Sequence, residues 1–221
     1  MTDTTHETPA SILIIDDHPL LRRGVTQLLE LEDDLVLAGE TGEPAEGVRL
    51  ARELDPDLVL LDLNMPGMNG IETLKRLRDD GFAGRIVIFT VSDNEEDVVD
   101  ALQAGADGYL LKDMDPDEMV RQLRQATLGR MVISESLTAL LAEALRHQRS
   151  KPAAPDIHSL TQREREILGE LAAGLSNKMI ARKLDITEGT VKVHVKHLLK
   201  KLNLRSRVEA AVWAVQEGLD R

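Results

Sequence analysis

From Ser11 to Leu111 the chain alternates short, almost wholly apolar runs with longer stretches of helical spacing, and this rhythm admits few folds. The runs are SILII from Ser11, LVLAG at 35–39, LVLL at 58–61, RIVIF at 85–89 and GYLL at 108–111. Between them, apolar residues recur at steps of three and four, as in Leu20, Val25, Leu28 and Leu29 or Ile71, Leu74 and Leu77. A strand with no polar alternation must be buried on both faces, which requires helices on either side of a parallel sheet. Five such units predict an α/β domain with a doubly wound, five-stranded parallel sheet. Gly42, Gly67, Gly70, Gly81, Gly84, Gly105 and Gly108 fall in the expected connections.

The rhythm stops after Gly129. A helix is expected over 134–147, and Gln148 to Asp156, with two prolines and no periodicity, reads as a linker. We therefore expect a first domain at 10–130, a linker with that helix at 131–157, and a second domain at 158–221. Thr161-Gln-Arg-Glu164 and Ser206-Arg-Val-Glu209 have capping-box form, and helices are expected near 177–184 and 188–202, giving an all-α four-helix unit.

Charge divides the same way. Residues 1–150 carry 14 Lys and Arg against 30 Asp and Glu, a net of −16, whereas 151–221 carry 13 against 9, a net of +4. Such asymmetry predicts a basic module that meets a polyanion beside an acidic one with another task. The absence of cysteine removes disulfides, thiolate metal sites and cysteine nucleophiles. Four aromatics, Phe82, Phe89, Tyr109 and Trp213, are too few for a reader of stacked single strands. No stretch approaches the roughly 18 apolar residues of a membrane span, so a cytoplasmic protein without a membrane partner is expected.

Ligands of an open parallel sheet sit beyond the carboxyl ends of the strands. There the first run ends in Asp16-Asp17, the third in Asp62 and the fourth in Thr90, and the fifth leads into Lys112. Carboxylates brought so close repel unless a cation intervenes, and a hard divalent ion such as Mg²⁺ suits oxygen donors. An aspartate beside such an ion can attack a phosphoryl group, with Lys112 and Thr90 supporting its oxygens. Taken singly, Asp17 would serve equally as a helix cap, Lys112 as a solvated loop residue and Tyr109 as a sheet-edge closure. His18 is read as a local helix-start residue ahead of Pro19 rather than a ligand.

Asp16-Asp17, Asp62 followed by Leu-Asn-Met-Pro-Gly, Thr90, Tyr109 and Lys112 together resemble the response-regulator receiver family, over about Ile12 to Leu128. The resemblance implies a flavodoxin-like fold and an Asp62 that accepts phosphate from a sensor histidine kinase. It also implies Mg²⁺ bound by Asp16, Asp17, Asp62 and the Asn64 backbone carbonyl, and a switch through Thr90 and Tyr109. Many receivers have proline after the lysine; here the residue is Asp113.

On a helical wheel of about 100° per residue, Val191, Val195, Leu198 and Leu202 share a core stripe. Val193 falls opposite them, among Lys192, Lys196 and Lys200. A valine on a lysine-rich face is ill explained by packing, but it suits a major groove, where it can meet a thymine methyl. With Ser176-Asn-Lys-Met-Ile-Ala-Arg-Lys-Leu ahead of it, the spacing is that of a helix-turn-helix. Leu160 to Trp213 resembles the LuxR-type output domain, and the two domains together resemble NarL-type response regulators, among them the nitrate- and nitrite-responsive members. The resemblance implies Lys192, Val193 and Lys196 as base readers of double-stranded DNA, with Lys200 and Lys201 also on DNA. RNA polymerase is a further candidate partner. Val208, Ala211, Val212 and Val215 imply a homodimer seam on DNA, although the same stripe would also serve to close the domain core.

The expected function is thus a phosphorylation-switched transcription regulator rather than a turnover enzyme, with the receiver lying over the 188–202 helix until phosphorylated. An aspartate-based phosphohydrolase would want a second aspartate where Asn64 stands. A metabolite-gated regulator would want an apolar ligand cavity in place of the acidic one.

Overall fold

The computed structural model describes residues 9–134, 137, 157–204 and 206–219. Its first unit runs β1 (Ala10–Ile15), α1 (Pro19–Glu30), β2 (Leu35–Thr41), α2 (Pro44–Leu54), β3 (Leu58–Leu61), α3 (Gly70–Asp79), β4 (Arg85–Thr90), α4 (Glu95–Gln103), β5 (Gly108–Leu111), α5 (Pro116–Thr127) and β6 (Val132–Ile133). All strand pairs are parallel, in the order β2-β1-β3-β4-β5-β6. The winding reverses between β1 and β3, which is where such a sheet opens a crevice.

Alternate strand residues feed two cores. Leu13, Ile15, Val59, Leu61, Ile86 and Ile88 meet Val48, Leu74 and Val98 of α2, α3 and α4. Their neighbours Ile12, Ile14, Leu58, Leu60, Val87 and Phe89 meet Val25 and Leu29 of α1 and Met119 and Leu123 of α5. Each aliphatic side chain so buried contributes about 1.5–3 kcal/mol.

The sheet has a sixth strand beyond the five that the sequence predicts. Val132 and Ile133 pair with Gly108 and Tyr109, and Gly108 makes this possible. A Cβ there would stand 2.5 Å from Val132 Cγ2 and 2.6 Å from the Val132 carbonyl oxygen. Two residues carry no alternation to read, so the strand escaped the pattern. The helix expected at 134–147 lies outside the described residues.

The second unit opens with a 3-10 turn, Ile157–Ser159, followed by α6 (Gln162–Ala172), α7 (Asn177–Leu184), α8 (Glu188–Leu202) and α9 (Arg207–Gln216). Thr161 and Glu164 form the reciprocal capping box, and Ser206 accepts from the Glu209 N–H. Asp185, in a left-handed conformation at φ 52°, closes α7, and two residues later Thr187 caps α8. Helix, tight turn and capped helix make the helix-turn-helix. Val191, Val195, Leu198 and Leu202 are buried against Ile167, Leu168, Leu171 and Ile180, and Ala83 of the first unit joins this core.

Candidate functional site

Four strand ends deliver the acidic crevice. Asp16 and Asp17 follow β1, Asp62 follows β3, Thr90 ends β4 and Lys112 follows β5, all on the side predicted. Asp16, Asp62 and Thr90 are buried. Lys112, 8% exposed, places Nζ 2.8 Å from both Asp16 Oδ2 and Asp62 Oδ2. Neither contact has hydrogen-bond geometry, and Asp16 Oδ2, Asp62 Oδ2 and Asp17 Oδ1 have no hydrogen-bond partner. Burial, with Asp16 adding repulsion, pushes the Asp62 carboxyl above its ordinary value against the opposing pull of Lys112 and the Asn64 N–H.

His18 belongs to the cluster more fully than the sequence suggested. Its Nδ1 lies 2.8 Å from Asp17 Oδ1 and 3.2 Å from Asp16 Oδ1, and one ligand atom each from Asp16, Asp17, His18 and Asp62 falls within a 4.8 Å span. At the start of α1 the N-cap is His18, whose side chain makes no capping hydrogen bond, so Asp17 is not spent as a cap. The orphaned carboxylate oxygens are what a divalent cation would use, and the donor set suits a hard one. Phosphate-directed chemistry on Asp62 is therefore within reach of this geometry.

The switch residues are linked to the crevice. Asn64 donates its N–H to Asp62 Oδ1 and its side-chain amide to Thr90 Oγ1, both at 3.3 Å. The Ser92 N–H also donates to Thr90 Oγ1, at 3.3 Å. Tyr109 is fully buried, and its hydroxyl donates to the Ser92 carbonyl at 2.9 Å. Ser92, which the sequence did not single out, is the joint between the two. Gly70 has a role beyond a turn, because a Cβ there would lie 2.3 Å from the Asp62 carbonyl oxygen. The start of α3 can thus close on the Asp62 loop.

On α8, Val193 is 52% exposed opposite the buried stripe, as predicted. Its face is turned to the first unit. Lys192 Nζ donates to the Asp55 carbonyl at 2.7 Å and Lys196 Nζ to the Asp80 carbonyl at 3.4 Å. Gly81 makes room, since a Cβ on it would come within 2.2 Å of Lys196 Cε. A cleft of about 200 Å³ remains between the units, lined by Val48, Leu77, Phe82, Gly189 and Val193 among others. Lys200 is exposed, whereas Lys201 donates to Glu164 Oε2 at 2.7 Å and so braces its own unit. Burial alone would raise the Glu164 carboxyl, but hydrogen bonds from Lys201 and Thr161 hold it at about 2. Along α9, Val212 and Val215 are exposed and Val208 and Ala211 half-buried, while Ala210 and Ala214 close the core.

Two family models match. Residues 12–124 match the response regulator receiver domain, and 158–214 the luxR family of bacterial regulatory proteins. The nitrate/nitrite response regulator protein NarL of Escherichia coli K12 is 59% identical over 97% of this chain and 99% of its own length. NarP of the same strain is 49% identical over 95% of this chain and 96% of its own. A crystal structure of a LuxR-family two-component response regulator from Aurantimonas is similar at TM-score 0.59 and 35% identity, covering 63% of this chain and all of that one. With an acidic crevice at the strand ends and a helix-turn-helix behind it, the chain belongs to the response regulators that join a receiver domain to a LuxR-type DNA-binding domain, and it is a phosphorylation-dependent transcription regulator.

Proposed function

We propose that Asp62 is the phosphoacceptor and that its phosphorylation frees α8 to read DNA. The observation that carries this is a buried carboxylate oxygen, Asp62 Oδ2, that has no hydrogen bond and lies 2.8 Å from the Lys112 ammonium. Asp62 attacks the phosphorus of a phosphohistidine on a sensor kinase, the P–N bond breaks, and the imidazole leaves with a proton. Lys112 neutralises phosphoryl oxygens, and Thr90 turns its hydroxyl toward one of them. Asp16, Asp17, Asp62 and the Asn64 carbonyl hold Mg²⁺, which supplies further neutralisation of phosphoryl charge.

The receiver spans 10–130, with the short β6 strand added to its sheet, and a connecting segment at 131–157 leads to the output unit at 158–221. Drawing Thr90 toward the phosphoryl group disturbs Ser92 and Tyr109 and so repacks that face. Until then Asp55, Asp80 and Gly81 cover Lys192, Val193 and Lys196. Once released, these three address base edges, and Lys200 and Lys201 address phosphates, Lys201 from within its pair with Glu164. Val208, Ala211, Val212 and Val215 form the seam of a homodimer on DNA, where RNA polymerase is a further partner. Kinship with proteins named nitrate/nitrite response regulators points to nitrate or nitrite as the signal, sensed by the kinase and answered here in the cytoplasm.

The test is incubation with a phosphoramidate donor followed by intact-mass analysis. We expect one phosphate per chain, lost in Asp62→Asn and on addition of EDTA. Full uptake by Asp62→Asn would refute the assignment.

A further inference from the structure

The acidic crevice also contains a nitrogen donor to which phosphoryl transfer gives no part. His18 Nδ1 lies 2.8 Å from Asp17 Oδ1, 3.2 Å from Asp16 Oδ1 and 3.7 Å from Asp62 Oδ2. Neighbouring donors bonded to one ion at about 2.1 Å stand about 3.0 Å apart in an octahedron and about 3.4 Å apart in a tetrahedron. The three separations straddle this range, and one donor atom from each of the four residues fits within 4.8 Å.

The position of the ring is set by its backbone. Pro19 opens α1 and disfavours a helical conformation at the residue before it, and His18 is extended at φ −87° and ψ 102°. Its N–H donates to Asp16 Oδ1 at 2.8 Å, which ties the residue to the end of β1. The crevice itself asks for a cation. Lys112 sets one positive charge against three carboxylates and lies 2.8 Å from two of them. Asp16 Oδ2 and Asp62 Oδ2 have no hydrogen-bond partner, although their side chains are only 2% and 1% exposed.

We propose that His18 Nδ1 is a ligand of the divalent cation in the crevice and gives the site a preference for first-row transition ions such as Zn²⁺ over Mg²⁺. The proposal rests on reading the crevice as a cation site. Mg²⁺ is served by oxygen donors and its own water, whereas imidazole suits Zn²⁺ and its neighbours. The ring binds in its neutral form, with the proton on Nε2 and the Nδ1 lone pair on the ion. A transition ion so held competes with Mg²⁺ for Asp16, Asp17 and Asp62. The His18 side chain is 63% exposed, so its replacement leaves no hole in a core.

The test uses the full chain and Zn²⁺ as the probe. Two-bond proton–nitrogen correlation spectra of the histidine rings identify the His18 nitrogens as the signals absent from His18→Ala. One equivalent of Zn²⁺ should move the His18 Nδ1 resonance to the position of a metal-bound nitrogen, and a large excess of Mg²⁺ should return it. In competition with a chromophoric chelator, Zn²⁺ affinity should fall about tenfold or more in His18→Ala. Mg²⁺ affinity, read from its displacement of Zn²⁺, should change by no more than about twofold. Suppose Zn²⁺ competes with Mg²⁺ but leaves the His18 nitrogens unmoved, or binds His18→Ala as tightly as the parent. The ring is then a counter-charge to the carboxylates, which overturns the ligand and leaves the cation site standing. Zn²⁺ held only elsewhere, with no competition from Mg²⁺ and no effect of Asp17→Asn, overturns both.

Discussion

Lys112 and Lys192 are both encircled by carboxylates, but in opposite circumstances. Lys112 meets Asp16 and Asp62 within one unit, at 2.8 Å and in a buried crevice. Lys192 meets Asp55 and Asp57 across the junction of two units, at 3.4 and 3.7 Å. The first set forms with the fold and persists as long as the sheet does. The second exists only while the units touch, and partly exposed pairs of this kind contribute on the order of 0–1 kcal/mol each. An interface built from such pairs can be displaced by a change at Thr90 or by the phosphates of DNA. On the proposed function, the same chemistry serves as structure in one place and as a removable cover in the other.

Charges inside a unit should then carry stability, and charges on the reading face should not. The strongest case is Asp107, which is fully buried between Arg78 at 2.5 Å and Arg85 at 3.1 Å and also accepts the Ile86 N–H. Asp107→Asn leaves two buried guanidiniums without their anion, and we expect a loss of about 3–5 kcal/mol in urea unfolding. A loss below about 1 kcal/mol would mean that the cluster is solvated and the distinction false.

Glu164 ranks next and lies in the output unit. Its carboxyl is held at about 2 by Lys201 and Thr161. Because the folded-state value is depressed, its contribution is full above the ordinary carboxylate range and lost as pH falls toward 2, about 3 kcal/mol in all. Glu164→Gln should flatten the acid limb of stability between pH 5 and 2. An unchanged limb would show that the pair with Lys201 is idle.

On the reading face, Lys196→Ala should leave urea unfolding within about 0.5 kcal/mol of the parent. It should cost about 1–3 kcal/mol at a specific site and blur preference at one base pair. Lys200→Ala should weaken all sequences alike and lower the salt slope by about one counterion. If instead Lys200→Ala alters base preference, α8 must be turned about its axis in the groove.

What could be read from the sequence follows from the range of each interaction. Strand ends and helix faces are set by residues a few positions apart, so the Asp16, Asp17, Asp62, Thr90 and Lys112 constellation and the exposed Val193 were both legible. Contacts between distant segments were not. Nothing near Asp55 indicates that Lys192, 137 residues on, will donate to its carbonyl. Nothing near Ser92 shows that its carbonyl takes the Tyr109 hydroxyl. Lys201 lies near the helix end and off the basic face, where a phosphate is the expected partner, and only the packing of α6 on α8 reveals its partner in Glu164. His18 was set aside because a residue ahead of proline at a helix start is commonly local, yet the turn after β1 swings its ring over Asp17.

The central claim is that charge added at Asp62 uncovers α8. The most direct measurement is the affinity of the full chain for a specific operator at fixed salt, before and after treatment with phosphoramidate, in the parent and in Asp62→Asn. The account predicts tighter binding on phosphorylation in the parent and no change in Asp62→Asn. Equal affinity before and after in the parent, or the same gain in Asp62→Asn, would contradict it.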